Sequence, residues 1–333
     1  MQLVDSLRAR LARRLERGDA STPAKALGAL WGALASRGLA RPLKLPAGRW
    51  VIGVGSAVLG GAGKTPLAIA LARELARRGE RVGLIGHAYR ADPGCARVVQ
   101  RLDRLAEVGD DALCAARALA RAGVPVIVAP DRQGALDHAA ALGLRVLVVD
   151  GLLQSAPQRL AASILVLDEA APWGARGCPP AGDLRAPREA LLAASDHRVL
   201  LTTGLDLPLD LPPRAILVPS RIDGAAASLH PPRSLAELSR LRCGLFLTVA
   251  RPARIVTALR RAGIAPAPIV TLADHARPSR AALARAARAP VDCWLTTARC
   301  AVKLPEMLGD APVLVLEHRL EVGALVEGLL PFF

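Results

Sequence analysis

From residue 49 onward the chain alternates short apolar runs with longer, mixed segments. The run "RWVIGVGS" predicts a buried strand, and "GKTPLAIALARELARRGE" the helix that follows it. The alternation then repeats. It gives a strand at "RVGLIG" (81–86), a loop with "ADPG", and a helix from about Asp110 to Ala122. Strand 124–130, helix 132–142 and strands 144–150 and 163–168 follow. Short apolar strands separated by helices predict an α/β fold, a parallel sheet covered by helices on both faces. The Gly/Pro-rich stretch "APWGARGCPPAGDLRAP" (171–187) reads as a long loop, and loops this long inside a domain are usually functional.

Strand signals return at "HRVLLTT" and "RAILVPS", while "DGAAASLHPPRSL" reads as a connector. A second, smaller α/β unit is expected from "CGLFLTVA" (243–250), with strands in "APIVTLADH", "DCWLTTARC" and "APVLVLEHRLE". The expected division is therefore 1–47, 48–240 and 241–333.

Before residue 48 the pattern differs. "MQLVDSLRARLARRLERG" is charged and amphipathic, without the apolar core of a signal peptide. "ALGALWGALASRGLA" (26–40) is apolar but interrupted by Arg37, and falls short of the roughly 20 residues of a spanning helix. The first 50 residues hold ten basic and three acidic residues. Basic flanks around a Leu/Trp helix suit two arrangements: an anchor on a cytoplasmic membrane surface, or a helix packed on the protein's own core.

Composition narrows the partners. Of 333 residues, 52% are hydrophobic and 22% charged, as in a soluble globular protein, and the net charge of +15 favours anionic partners. Nucleic acid is disfavoured among these: aromatics make up only 2%, and neither a basic recognition helix nor zinc-finger spacing is present. Six cysteines without a C-x-x-C pair fit reduced thiols in the cytoplasm.

The chemistry concentrates at "GSAVLGGAGKTP" (55–66), directly behind the first strand. Backbone N–H groups of Gly60, Gly61, Ala62 and Gly63 can surround phosphate oxygens at a helix N-terminus. Lys64 would neutralise β/γ-phosphate charge and the Thr65 hydroxyl would ligate Mg²⁺. The strict loop pattern wants glycine where Val58 stands. Asp150, ending "LRVLVVD", is the candidate metal-side carboxylate, with Asp168 as a rival. Candidates to orient or deprotonate an attacking hydroxyl are Asp110 and Asp111 in "EVGDDAL" and Asp274–His275 in "LADHARPS". An N-cap for Asp110 and a surface loop for His275 are the ordinary alternatives.

Taken together, these stretches resemble the tetraacyldisaccharide 4'-kinase (lipid A 4'-kinase) family. Its glycine loop V-G-N-x-x-x-G-G-T-G-K-T-P is matched by "VGSAVLGGAGKTP" (54–66), so Val58 is ordinary there. Further matches run in order: "VGDDAL" (108–113), Pro130-Asp131-Arg132, "PAGDLRAP" (180–187), Asp274-His275 and "TTARCAVKL" (296–304). The resemblance implies ATP and Mg²⁺ as cofactors, and the 4'-hydroxyl of a lipid A disaccharide precursor as acceptor. It implies work at the cytoplasmic face of the inner membrane, a P-loop-type sheet and a membrane-contacting N-terminal helix. It further implies Asp110 as general base, His275 as its supporting partner and Asp150 as a metal-side residue.

The chain also departs from the family pattern. Gly151 stands where the family has a second Asp, Ser155 where it has His, and Ser56 where it has Asn. His87 lies in the altered S-R-G-Y-G segment, Ala186 replaces a Glu, and Ala276 replaces the second His of D-H-H. Ala298, Arg299 and Cys300 replace Glu, Lys and Asp. Three readings follow: an active lipid A 4'-kinase, a homologue that binds nucleotide or lipid without efficient phosphoryl transfer, and an unrelated P-loop kinase or GTPase. A GTPase is disfavoured by the lack of an N/T-K-x-D signature.

Overall fold

The computed structural model describes residues 11, 14–18, 20–38, 43–153, 160–203, 208, 210–227 and 230–330. Ser155 lies outside them, as does most of the charged segment 1–18. The described residues form two compact units, one from Ala12–Ser220 with Leu320–Phe333, the other from Arg221–Arg319.

The first unit opens with α1 (Thr22–Gly38) and then β1 (Trp50–Ser56), α2 (Lys64–Arg77), β2 (Val82–Ile85) and β3 (Arg97–Val98). Next come α3 (Leu105–Val108), α4 (Asp110–Leu119), β4 (Val126–Val128), α5 (Arg132–Ala141), β5 (Val146–Asp150) and β6 (Ala162–Asp168). Helix α6 (Arg188–Ala193), β7 (His197–Thr202) and the start of β8 (Ala215–Ala227) complete it. Its strand order is β8-β7-β6-β1-β5-β2-β4-β3, parallel except for the β3–β4 pair. Strands β1, β5 and β6 are almost wholly buried, which is why they read as continuous apolar runs without alternation. Helix α2 lays Leu67, Leu71 and Leu75 into the core, each fully buried and worth about 1.5–3 kcal/mol of transfer free energy.

The order places β1 between β5 and β6, so successive connections leave it in opposite directions. Open α/β sheets bind ligands beyond the carboxyl ends of their strands at such a switch point. The glycine loop and Arg132 lie past the carboxyl ends of β1 and β4, and Asp150 is the last residue of β5.

Helix α1 turns its small residues inward. A Cβ on Gly28 would lie 2.7 Å from the Cys178 carbonyl oxygen, and one on Gly32 would lie 3.1 Å from Pro187. Leu27, Leu30, Trp31 and Leu34, spaced i, i+3, i+4, i+7, are more than half exposed. This inverts the usual amphipathic arrangement, in which the bulky apolar stripe faces the core. Among the described residues, no helix is long and apolar enough to cross a membrane.

The second unit holds the rest of β8, then β9 (His230–Ser234), α7 (Leu235–Leu238), β10 (Cys243–Leu247), α8 (Pro252–Arg261), β11 (Ile269–Thr271) and α9 (Arg280–Ala287). It continues through β12 (Cys293–Thr296), α10 (Ala298–Ala301), β13 (Met307–Leu308) and β14 (Ala311–Leu320). The order is β11-β10-β12-β14-β8, with β10, β11, β12 and β14 parallel. The chain then returns to the first unit as α11 (Gly323–Leu329).

The two units divide inside β8, after Ser220, and residues from 320 onward go with the first unit. One expectation needs correction. The "DGAAA" stretch expected as a connector is strand: β8 continues through it and pairs antiparallel with β9, Gly224 opposite Ser234 and Ala225 opposite Arg233. Its Ala/Gly content carries no strand propensity, so the pairing partner decides its conformation.

Candidate active site

The glycine loop is shaped by packing from the long loop 171–187. Val58 forms an isolated antiparallel bridge with Leu184, and Leu59 N–H donates to the Asp183 carbonyl at 2.9 Å. Arg185 N–H donates to the Ala57 carbonyl at 2.8 Å. The Arg185 guanidinium also donates from Nε to the Val58 carbonyl (3.0 Å) and Ser56 Oγ (3.2 Å), and from a terminal nitrogen to the Leu59 carbonyl (3.2 Å). Ser56 Oγ in turn donates to the Val58 carbonyl at 2.8 Å. Val58 itself is buried beside Leu165, Leu167 and Leu184. It is a core residue of the loop's outer half.

At the loop's inner end Gly63 caps α2 with φ +86, and a Cβ there would meet Leu201 Cδ1 at 2.4 Å. Only glycine satisfies both conditions. The following Lys64 and Thr65 start the helix, so backbone N–H groups and the positive end of its dipole face the loop.

Thr65 Oγ1 donates to Asp150 Oδ2 at 2.5 Å. Asp150 is buried, and its Oδ1 has no hydrogen-bond partner among the described residues. A buried carboxylate oxygen without a partner is costly, and a hard divalent cation is the ligand that relieves it. The residues therefore suit a hard divalent cation such as Mg²⁺, which Thr65 and Asp150 would hold. Asp168 is placed differently: it is buried at the end of β6, and its Oδ1 accepts from Ala170 N–H at 3.2 Å.

Cationic groups surround these residues. Arg132 starts α5 behind its N-cap Asp131 and donates to the Gly151 carbonyl at 2.8 Å. Burial pushes the Arg185 pKa down, Asp150 opposes the shift and Arg132 adds to it. The His87 pKa is also pushed down, first by partial burial and then by Arg132, while Asp111 opposes; Lys64 and Arg185 add to the lowering. So Lys64, Arg132, Arg185 and His87 share one electrostatic environment suited to a polyphosphate. Sequence reasoning assigned roles to the loop, Lys64, Thr65 and Asp150 and missed Arg132, Arg185 and His87. For Arg132 a signal was present in "PDR", an arginine at a helix start just behind a strand; Arg185 and His87 had none of their own.

Asp110 is buried at the first position of α4, while Gly109 takes the cap position with φ +83. Asp110 is thus not the N-cap of its helix. Asp111 follows it in the same first turn.

His275 lies in the second unit, in a turn closed by Ala276 N–H to the Ala273 carbonyl at 3.0 Å. Its φ is +58, a left-handed conformation in which histidine is enriched among non-glycine residues. Arg299 reaches it from α10, with terminal nitrogens 2.5 Å from Asp274 Oδ1 and 3.1 Å from His275 Nε2. Beside it, buried Cys300 receives the Thr248 N–H at 3.2 Å, and the Thr297 hydroxyl lies 3.1 Å from its sulfur. Asp110 and His275 belong to different units.

A model of the family described as LpxK, tetraacyldisaccharide-1-P 4'-kinase, matches residues 20–330. The chain belongs to this family. A tetraacyldisaccharide 4'-kinase of Phenylobacterium zucineum is 34% identical over 320 residues, covering 90% of this chain and 91% of its own length. One from Methylobacterium nodulans is 35% identical over 298 residues, covering 87% and 84%. Another, from Methylobacterium sp. (strain 4-46), is 44% identical over 176 residues, about half of each chain. The fold is similar to a crystal structure of "apo" form LpxK from Aquifex aeolicus in complex with ATP. That similarity has a TM-score of 0.66 at 20% identity, over 93% of this chain and 96% of that one.

Within the family, the departures of this chain acquire places. Ala186 is a core residue beside the glycine loop. Gly151 adopts φ +79, and its carbonyl holds Arg132. Cys300 is an acceptor under Thr248.

Proposed function

We propose that the protein transfers the γ-phosphate of ATP to the 4'-hydroxyl of the tetraacyldisaccharide 1-phosphate lipid A precursor, at the cytoplasmic face of the inner membrane. Family membership supports the reaction. The observation that carries it is the Thr65–Asp150 pair with its unpartnered oxygen, at the foot of a glycine loop ringed by Lys64, Arg132, Arg185 and His87.

The polyphosphate lies against the N–H groups of Gly60, Gly61, Ala62 and Gly63, and the cations offset its charge. Thr65 and Asp150 hold Mg²⁺, which when bound neutralises charge on the β- and γ-phosphate oxygens. Asp110 takes the proton from the 4'-hydroxyl, and His275 supports it. The Leu27/Leu30/Trp31/Leu34 stripe on α1, with Lys25 and Arg37 on the same helix, lies in the lipid interface and brings the site to an acylated substrate. Its outward apolar face supports this over packing on the protein's own core.

The test is to incubate pure protein with ATP, Mg²⁺ and tetraacyldisaccharide 1-phosphate. Phosphate transfer well above that of a Lys64→Ala control is expected; equal rates would end the reading.

A second reading, nucleotide binding without efficient transfer, draws on Gly151, where the family's second aspartate is missing. ATP binding by calorimetry with no turnover on that acceptor would support it.

A further inference from the structure

The second unit contains a three-residue cluster whose hydrogen-bond chemistry is over-determined. Arg299 projects from the short turn α10, whose N-cap Thr297 accepts from Cys300 N–H at 3.4 Å. Its guanidinium forks, one terminal nitrogen 2.5 Å from Asp274 Oδ1 and the other 3.1 Å from His275 Nε2. Asp274 Oδ2 lies 3.5 Å from the same Nε2. Nε2 therefore stands between two neighbours with opposite demands. Asp274 can only accept, and favours a proton on Nε2; Arg299 can only donate, and requires a lone pair there.

Geometry decides between them. The arginine contact is the shorter, and a protonated Nε2 would set two N–H groups against each other at 3.1 Å. The carboxylate faces Nε2 only with its other oxygen, Oδ2, at the longer 3.5 Å, while Oδ1 is held by the guanidinium. The residue's main chain is also fixed, by its left-handed conformation and by the backbone N–H of His275, which donates to the Thr248 carbonyl at 3.3 Å. Thr248 is fixed in turn, donating from its N–H to Cys300 Sγ.

We propose that Arg299 is a positioning residue that locks His275 in the Nδ1–H tautomer. With Nε2 committed to the guanidinium, Nδ1 offers a donated proton. His275 then serves a neighbouring anionic oxygen, of a carboxylate or a phosphoryl group, as a neutral hydrogen-bond donor, and does not abstract protons. A free imidazole prefers the opposite, Nε2–H form, so the arginine selects the rarer tautomer. The consequence for phosphoryl transfer rests on the kinase reading above; the tautomer itself does not.

The test separates the two. The intact chain is labelled with ¹⁵N at histidine only, of which there are six, and the ring nitrogens are observed at about pH 8, where an ordinary imidazole is neutral. The His275 signals are assigned by their loss in His275→Asn. The wild type is expected to show Nδ1 protonated and Nε2 bare. Arg299→Met is expected to move the proton to Nε2, towards Asp274, and Arg299→Lys, which still donates, to keep it on Nδ1. Backbone amide spectra of the variants report that the fold is kept. A wild-type Nε2–H signal would overturn the proposal. So would an Nδ1–H form surviving in Arg299→Met, or a lysine variant that switches as fully as the methionine one.

In the kinase assay, Arg299→Met should lower kcat on the order of tenfold without raising KM for ATP. Full activity in His275→Asn would remove His275 from the reaction while leaving the tautomer result standing.

Discussion

Thr65 Oγ1 and Asp150 Oδ2 lie 2.5 Å apart, and the second oxygen of the same buried carboxylate has no hydrogen-bond partner among the described residues. A residue in the first turn of a helix and the last residue of a strand, 85 positions apart, are thereby brought together by the β1–β5 pairing, in which Val54 is in register with Asp150. Asp150→Asn keeps the shape and removes the charge. The Mg²⁺ concentration for half-maximal rate should rise by at least the roughly 10- to 100-fold typical of losing even an outer partner of a metal site. Titration of the rate with Mg²⁺ at saturating ATP checks this, and an unchanged curve would place the metal elsewhere.

Arg185 supplies the loop with three hydrogen bonds from one half-buried cation. Replacing it with Met preserves most of the apolar stem but leaves the Val58 and Leu59 carbonyls without that donor. Hydrogen bonds to charged groups contribute about 1.5–3 kcal/mol, so KM for ATP should rise roughly 10- to 100-fold. Arg185→Lys should recover only part, because an ammonium cannot fork across two carbonyls and a hydroxyl. Equal KM values for the lysine variant and the wild type would mean that charge alone matters there.

His87 gives a pH dependence with a definite sign. In the free protein its pKa is lowered, first by partial burial and then by Arg132, with Lys64 and Arg185 adding and Asp111 opposing. The unfolded chain thus binds more protons than the folded one around the usual histidine range. This contribution to stability is complete above that range and is lost as pH falls through the lowered folded value. A bound polyphosphate neutralises those cations and raises the His87 pKa again, so nucleotide binding takes up protons and strengthens as pH falls. Calorimetry in buffers of different ionisation enthalpy measures the uptake. The uptake should vanish in His87→Gln, and its absence in the wild type would show that His87 does not face the phosphates.

How much of this was legible beforehand depended on how local the cause was. The strand–loop–helix from Trp50 to Arg77 could be read directly, because its apolar run, glycines and helix start are contiguous. Asp150 was legible as a strand-ending carboxylate, although its pairing with Thr65 needs the sheet. Arg185 was not, since its role depends on loop 171–187 folding back over residues 56–59, and nothing in its own neighbourhood indicates that. The strand character of residues 221–227 failed for the same reason, being set by β9 rather than by composition. The direction of α1 was open for a physical reason too: a Leu/Trp stripe looks the same in sequence whether it meets a core or a lipid. Only the Gly28 and Gly32 contacts with residues 178–187 show that the small face is inward.

Gly151→Asp restores the carboxylate of the family pattern, and so asks whether its loss limits the enzyme. The position has φ +79, where a non-glycine residue costs about 1–2 kcal/mol, and aspartate is among those that tolerate it best. An added Cβ would lie 3.2 Å from a terminal nitrogen of Arg132, the movable end of a long side chain that also attracts the new charge. The variant should therefore fold, with a small drop in melting temperature. A second carboxylate beside Asp150 raises the site's affinity for a hard cation, so half-saturation by Mg²⁺ should occur at a lower concentration. Gly151→Asn carries the same backbone strain without the charge and should show the drop in melting temperature alone. A gain in rate confined to the aspartate variant would mean that the missing carboxylate limits turnover in the natural chain. Equal rates in all three proteins would mean that Asp150 and Thr65 already hold all the metal the reaction uses.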